Sequence, residues 1–321
     1  MTANSLYDQS LYDDLFFRVR DGLRLHARVY RAKGSRLRPA VCLPGLTRNA
    51  REFHALACYL STTSRQPRDV YALDYRGRGQ SEWDGDWTNY TVPTEALDVI
   101  DFLAFAGLSD VAVIGTSRGG LIAAVLAAMQ PASVGLAVLN DIGPVIESDG
   151  LMRIAGYVGR VPLPRSWEEA TALVRDLNQR RFPAVPARDW EVLARQWYNE
   201  KNGRPAVSYD PDLKNTMSVL DGPMPALWSQ FETLNRVPVL VLRGENSDLL
   251  SRETVEEMRL RHPALSDLEI PGEGHAPLLR DPASQQAVAE FLAEYDGKRT
   301  VLAPARAAGS DRGGSQSAAT A

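Results

Sequence analysis

The sequence contains only two cysteines among its 321 residues, Cys42 and Cys58, and no long apolar run. Because the cysteines are not in C-x-x-C spacing, we expect no metal framework, and both thiols are expected to pack as small apolar groups in a reducing compartment. No stretch is long and apolar enough to span a membrane, and the polar, acidic start of the chain lacks the apolar core of a secretory signal. These absences predict a cytoplasmic protein without a metal or organic cofactor.

An excess of positive charge is also missing. The chain has 36 Lys and Arg against 40 Asp and Glu, a formal net charge of -4. No basic face stands out, so nucleic acid is not an expected partner. Hydrophobic residues make up 44% of the chain, which is enough to bury a sizeable core. We therefore expect a small-molecule substrate as the partner, and the sequence leaves a homodimer open.

Predicted strands and helices alternate along most of the chain. The sequence begins with an antiparallel pair over Phe16 to Tyr30, turning at Asp21-Gly22. Short apolar runs typical of buried strands then alternate with stretches of helical periodicity. Alternation of this kind predicts an α/β fold with a mostly parallel central sheet and helices on both faces. The predicted strands end at residues 43, 73, 114, 139, 242 and 270.

The alternation stops between residues 145 and 236, where helical patterns, prolines and tryptophans dominate. We interpret this segment as an inserted helical cap. The predicted core is then residues 15–144 and 237–297, preceded by an N-terminal extension over 1–14. Residues 298–321 have little to bury and are expected to be a disordered tail.

The segment Gly115-Thr116-Ser117-Arg118-Gly119 has the form G-x-S-x-G. A predicted strand precedes it and an alanine- and leucine-rich predicted helix follows, so Ser117 is expected at a sharp strand-to-helix turn. The glycines are expected there because a side chain would collide with the neighbouring strand or helix. The motif is typical of a nucleophilic serine, although it also occurs by chance in glycine-rich loops.

A nucleophilic serine needs a base, and the base needs an acid. Of the four histidines, we favour His275, which lies in a glycine-flanked loop between the last predicted strand and helix. Asp248 is the leading candidate for the acid because its loop directly follows a predicted strand. Asp141 also ends a predicted strand and is the alternative acid, and Glu245 is a further competing carboxylate.

From about Phe16 to Tyr295 the chain resembles capped serine hydrolases of the α/β-hydrolase fold, the broad group of carboxylesterases, meta-cleavage hydrolases and enol-lactonases. The resemblance rests on the Ser117 motif, the loops of Asp248 and His275, and two further segments. These are Leu43-Pro44-Gly45-Leu46 and the D-x-R-G-x-G-x-S segment that starts at Asp74. The order Ser, Asp, His along the chain is that of this fold.

The resemblance implies an oxyanion hole made by the backbone N–H groups of Leu46 and Arg118. Proline at position 44 departs from the commoner His-Gly pattern. Because the donors of the oxyanion hole are backbone N–H groups, proline at this position need not disrupt it. The D-x-R-G-x-G-x-S segment resembles a structural turn of this group and receives no catalytic role.

Arg118 is unusual after the nucleophile, where the group often has an apolar residue. It resembles the Asp-Arg-Gly turn of fluoroacetate dehalogenase-like members, in which the arginine helps to hold a substrate carboxylate. We hypothesise that Arg118, together with Arg48, binds an anionic group on the substrate; the alternative is that Arg118 pairs with a carboxylate of the cap or points at water. Tyr157 and Trp228 are candidate substrate contacts, although cap aromatics more often form the cap's own core.

The sequence therefore predicts a serine hydrolase that cleaves a small ester, thioester or lactone through an acyl-enzyme. Hydrolysis of carbon–carbon bonds in ring-cleavage products is an alternative, although that group commonly has Asn where this chain has Thr116. The sequence also leaves open cofactor-free perhydrolase activity and a catalytically silent small-molecule-binding protein on the same fold.

Overall fold

A computed structural model describes residues 8–220 and 225–296. Its centre is a sheet of eight strands: β1 (Asp13–Arg18), β2 (Arg24–Tyr30), β3 (Ala40–Leu43), β4 (Val70–Asp74), β5 (Val111–Thr116), β6 (Val134–Asn140), β9 (Val239–Gly244) and β10 (Leu265–Ile270). Their order across the sheet is β1-β2-β4-β3-β5-β6-β9-β10. Pairing is antiparallel from β1 to β2 and from β2 to β4, and parallel across the rest of the sheet.

Helices cover both faces of this sheet because side chains alternate across each buried strand. In β3, Val41 and Leu43 face one apolar core, whereas Ala40 and Cys42 face the other. The first core is closed by α2 (Val92–Ala106), α3 (Arg118–Met129), α7 (Trp228–Phe231) and α8 (Arg252–Arg261). The second is closed by α1 (His54–Cys58) and α9 (Pro282–Glu294).

The cap segment, residues 145–236, lies between β6 and β9. Its helices include α4 (Ser148–Tyr157), α5 (Trp167–Asn178) and α6 (Asp189–Trp197). A small apolar core of its own contains Ala170, Val174, Phe182, Trp190, Leu193 and Ala194. The sequence did not predict the short hairpin of β7 (Asn199–Lys201) and β8 (Arg204–Ala206), whose strands of three residues are too short for a periodic pattern.

Hydrogen bonds hold the cap segment over the carboxyl ends of the parallel strands. The Asn49 side chain donates to the carbonyl of Gln196 at 3.0 Å, and the Asn199 side chain donates to the carbonyl of Gly79 at 2.9 Å. The Gly79 N–H donates in turn to the Ser208 carbonyl at 2.7 Å. Loops at the ends of β3, β5 and β6 therefore face a covered space.

The predicted α/β architecture, with its antiparallel start and parallel centre, is confirmed. The predicted tail, residues 298–321, falls outside the described residues, which end at Asp296. Across the two described ranges, every helix is too short or too polar to cross a lipid bilayer.

The turn between β5 and α3 shows why glycine flanks Ser117. A Cβ added to Gly119 would lie 2.0 Å from the carbonyl oxygen of Leu43, and one on Gly115 would lie 2.4 Å from the backbone of Gly119. Backbone atoms cannot swing away as a flexible side chain can. The first turn of α3 therefore packs directly on the neighbouring strand β3, as the sequence predicted.

We expect Gly119→Ala to lower the free energy of unfolding by more than about 2 kcal/mol, since overpacking against backbone forces the helix away from the sheet. The matched control is Gly156→Ala in α4, where an added Cβ meets no atom within 4 Å. That control is expected to stabilise the protein by about 0.5–1 kcal/mol, because alanine is the better helix former. Urea unfolding of both variants measures the difference, and equal stability of the two would contradict this packing.

Candidate active site

Ser117 occupies the turn between the last residue of β5 and the first residue of α3. Its backbone has φ 50° and ψ -114°, a conformation that residues other than glycine rarely adopt. The Ser117 N–H donates to the carbonyl of Asn140 at 2.9 Å, which ties the turn to the end of β6. A strained backbone of this kind persists only where the surrounding structure holds it in place. In this conformation Ser117 lines a cavity beneath the cap segment.

His275 lies beside Ser117, as the sequence predicted. Its Nε2 is 3.0 Å from the Ser117 Oγ, and its Nδ1 is 2.8 Å from Oδ2 of Asp141. With the proton on Nδ1, the ring donates to the carboxylate and Nε2 accepts from the serine hydroxyl. The three side chains form one continuous line of hydrogen bonds.

The carboxylate in that line belongs to Asp141, the alternative candidate, and the prediction of Asp248 is wrong in this structure. Asp141 is fully buried and follows β6 directly. Its Oδ1 accepts from the Gly244 N–H at 2.8 Å, and its Oδ2 accepts from the Ser247 hydroxyl at 2.6 Å. These donors satisfy a carboxylate that would otherwise be costly to bury, and they aim Oδ2 at His275.

Asp248 instead holds the cap segment to the sheet. Arg153 of α4 grips its carboxylate with two hydrogen bonds, Nε to Oδ2 at 2.5 Å and Nη2 to Oδ1 at 2.7 Å. Burial acts to raise the pKa of Asp248, but the hydrogen bonds and charge of Arg153 outweigh it and lower that pKa. The loop after β9 thus supplies a contact to the cap segment through Asp248, and its Ser247 hydroxyl donates to Asp141, the carboxylate that contacts His275.

Sequence reasoning missed two residues that support this arrangement. The Asn140 side chain donates to the carbonyl of Pro277 at 2.9 Å and to the hydroxyl of Thr116 at 3.1 Å, so it joins the His275 loop to β5. Ser247 orients Asp141 through its hydroxyl. The only signal in the sequence is position, because Asn140 precedes Asp141 at a strand end and Ser247 precedes Asp248.

The two predicted oxyanion donors flank the same space. Leu46 and Ser117 both line the cavity, and Arg118 is the first residue of α3, where a helix has unpaired N–H groups. Within residues 8–220 and 225–296, the backbone N–H groups of Leu46 and Arg118 form no hydrogen bond. Both N–H groups are therefore available as hydrogen-bond donors.

The side chain of Arg118 does not line the cavity, so the structure contradicts its predicted contact with substrate. Its Nε donates to Oε2 of Glu95 at 2.6 Å, and its Nη2 donates to the Tyr90 carbonyl at 2.9 Å. Arg78 binds the second oxygen of this fully buried glutamate at 2.8 Å. Burial opposes ionisation of Glu95, but the two arginines outweigh it and lower the pKa of Glu95. The positive charge of Arg118 is therefore neutralised by Glu95 and is not available to a substrate.

Of the remaining predicted substrate contacts, Arg48 and Tyr157 line the cavity and Trp228 does not. Trp228 packs edge-on against Phe231, with the guanidinium of Arg261 4.0 Å from its ring centroid. Much of the apolar wall of the cavity comes from the cap segment: Ile154, Val174, Phe182, Trp190, Leu193 and Trp197. The polar residues of the wall include Asn178 and Gln196 of the cap segment and Glu52.

Two further carboxyl groups near the site have altered acidity. Burial raises the pKa of Glu52, which shares the cavity with Ser117. Burial also raises the pKa of Glu273 to about 7, and its carboxyl accepts from the Leu278 N–H at 2.7 Å in the loop that carries His275. In the described ranges, no three His, Cys, Asp or Glu side chains are grouped to hold a metal ion.

The chain is similar to known hydrolases in both sequence and fold. The model of the alpha/beta hydrolase family matches residues 40–291. Over 84% of this chain and 93% of the relative, the sequence is 34% identical to a 3-hydroxybutyrate-oligomer hydrolase of Cupriavidus necator.

Solved structures agree. A crystal structure of an alpha/beta hydrolase from Novosphingobium aromaticivorans, 36% identical, superposes with a TM-score of 0.81 over 88% of this chain and 98% of that one. The structure of E-2-(acetamidomethylene)succinate hydrolase, 25% identical, gives a TM-score of 0.71 over 88% of this chain and 100% of that one. The protein is a hydrolase, and the chain belongs to the alpha/beta hydrolase family.

Proposed function

We propose that the protein hydrolyses small carboxylic esters with Ser117 as nucleophile, His275 as base and Asp141 as acid. The observation that carries this proposal is the unbroken line of hydrogen bonds from Ser117 through His275 to the buried Asp141. A serine hydroxyl is a weak nucleophile until a base takes its proton, and a carboxylate on the far ring nitrogen stabilises the imidazolium that results.

In the first half of the reaction the Ser117 Oγ attacks the carbonyl carbon of the ester while His275 Nε2 takes the hydroxyl proton. The N–H groups of Leu46 and Arg118 bind the negative oxygen that develops; each such donor is typically worth about 3–4 kcal/mol in the transition state. As the tetrahedral intermediate collapses, His275 returns the proton to the leaving alcohol. The acyl group remains bonded to Ser117.

Water completes the cycle. His275 removes a proton from a water molecule, the hydroxide attacks the acyl-enzyme, and the serine leaves with the proton that the histidine returns. The products are one carboxylic acid and one alcohol. Apolar side chains of the cap segment line the space beside the intermediate.

The similarity to a 3-hydroxybutyrate-oligomer hydrolase supports short hydroxy-acid esters as the first substrates to assay. Thioesters and lactones undergo the same acyl transfer. A carbon–carbon hydrolase would differ in the bond broken, and a silent binding protein would have no need of an intact base.

Ser117→Ala is expected to abolish reaction with a fluorophosphonate probe and to lower kcat for a p-nitrophenyl ester by a factor of at least about 10³, because the nucleophile is gone. Mass spectrometry should locate the probe of the wild-type protein on Ser117. The matched control is Ser10→Ala, an exposed turn serine whose hydroxyl bonds to Asp8. An unlabelled wild type, or equal labelling of Ser117→Ala, overturns the proposal.

Asp141→Asn is expected to lower kcat about 10³- to 10⁴-fold, since an amide cannot stabilise the imidazolium and favours the wrong ring tautomer. The matched variant Asp248→Asn should keep kcat within about tenfold of wild type and lower the melting temperature instead, because it weakens the contact with Arg153. Steady-state kinetics and thermal unfolding separate the two effects. If Asp248→Asn were the inactive variant, Asp248 rather than Asp141 would be the acid.

A further inference from the structure

Arg48 brings an unpaired positive charge into the cavity that contains Ser117. It lies two residues after Leu46, in the loop that follows β3, and its side chain lines the cavity. No described residue forms a hydrogen bond with its guanidinium or an ion pair of 4.0 Å or less. Its principal contact is the ring of Trp197, whose centroid lies 3.1 Å from the guanidinium carbon.

Neighbouring arginines around the site have carboxylate partners. Arg153 is bound on two nitrogens by Asp248, and Arg118 is bound by Glu95. A guanidinium stays protonated in proteins even when burial lowers its pKa, as it does for Arg48. Arg48 is half-buried. An unpaired charge that has lost part of its hydration is costly, so the charge of Arg48 is expected to be met by a ligand.

Glu52 is a carboxyl group that could neutralise Arg48, since both line the same cavity. Among the described residues, no ion pair within 4.0 Å joins these two side chains. Burial raises the pKa of Glu52, and the charge of Arg48 opposes that rise. Since no ion pair joins the two side chains, the guanidinium of Arg48 remains able to bind an anion.

Arg48 also stands at the border of two spaces. Together with Thr47, Tyr157 and Trp197 it lines both the cavity of Ser117 and a second cavity, which lies between the cap segment and the loop after β3. The second cavity is walled mainly by apolar residues: Val161, Leu163, Leu177, Val207 and Pro211. The two cavities thus adjoin at Arg48.

We propose that Arg48 binds a free carboxylate on the substrate, so that the enzyme prefers esters of short acids in which a carboxylate lies on the alcohol side of the scissile bond. The proposal rests on the proposed ester hydrolysis at Ser117 and assigns to Arg48 the anion contact that Arg118 cannot make. Trp197 holds the guanidinium plane from one side, and the edge nitrogens remain free to donate to a carboxylate. Arg48 is a specificity-determining residue in this assignment.

The test compares two substrates that differ only in charge. One is the linear dimer of 3-hydroxybutyrate, which has one ester bond and a free carboxylate, and its partner is the primary carboxamide of the same dimer. Wild-type kcat/KM for the acid should exceed that for the amide by about 10- to 100-fold, the range expected for a charge-assisted hydrogen bond. Arg48→Leu should reduce this ratio to near one, and Arg48→Lys should keep part of it.

The matched control is Arg261→Leu, which removes an arginine that also stacks on a tryptophan, Trp228, but lies outside the cavity. Its acid-to-amide ratio should equal that of wild type. An unchanged ratio in Arg48→Leu, or no preference for the acid in wild type, overturns the proposal.

A second measurement covers the case in which Arg48→Leu folds poorly. Free 3-hydroxybutyrate should inhibit wild-type hydrolysis of a neutral p-nitrophenyl ester competitively, and 3-hydroxybutyramide should inhibit at least about tenfold more weakly. Equal inhibition by the two contradicts a carboxylate site. Fluorophosphonate labelling of Ser117 distinguishes this failure from failure of the proposed function. If the protein is labelled and hydrolyses esters but shows no preference for charge, only the role of Arg48 is refuted. If it is not labelled, the proposed function itself fails.

Discussion

The carboxylate of Asp141 connects three loops that come from distant parts of the chain. It accepts hydrogen bonds from the Gly244 N–H at the end of β9, from the Ser247 hydroxyl and from the ring of His275. Because the group is fully buried, each of these donors compensates for lost hydration. The orientation of the His275 ring, and through it the hydrogen bond to Ser117, depends on this carboxylate.

The order of the strands in the sheet determines where the carboxylate of Asp141 lies. The strands β5 and β6 are parallel neighbours, so Ser117 and Asp141 follow them at the same edge. Gly119 permits α3 to approach β3 within backbone contact, and the Ser117 N–H is fixed by the carbonyl of Asn140. Nucleophile and acid are therefore positioned by the backbone, and the histidine is brought between them by the loop before α9.

Much of this arrangement is predictable from the sequence. The G-x-S-x-G motif and the glycine-flanked His275 specify local chemistry, and strand–helix alternation specifies the sheet, so the pairing of Ser117 with His275 follows. The choice between Asp141 and Asp248 does not, because both follow strands that end at the same edge. The difference between the two carboxylates lies in Arg153, a residue of the cap segment that is 95 positions away from Asp248 in the chain and forms an ion pair with it.

Arg118 and Arg48 show that the sequence also does not reveal which charged side chains pair with each other. Both are candidates to bind an anion, and nothing in the local sequence says that Glu95 and Arg78 meet Arg118 in the core. Arg48 packs against Trp197 of the cap and has no carboxylate partner within ion-pair distance in the described part of the chain. Pairing of charges across distant segments thus decides which arginine is available to a substrate.

The proton between His275 Nδ1 and Asp141 offers the most direct measurement of the central claim. A histidine proton held by a buried carboxylate gives a proton NMR signal far downfield of the amide region when the ring is charged. Wild type at acidic pH should give such a signal, Asp248→Asn should retain it, and Asp141→Asn and His275→Ala should lose it. A signal that survives in Asp141→Asn and disappears in Asp248→Asn would contradict the role assigned to Asp141.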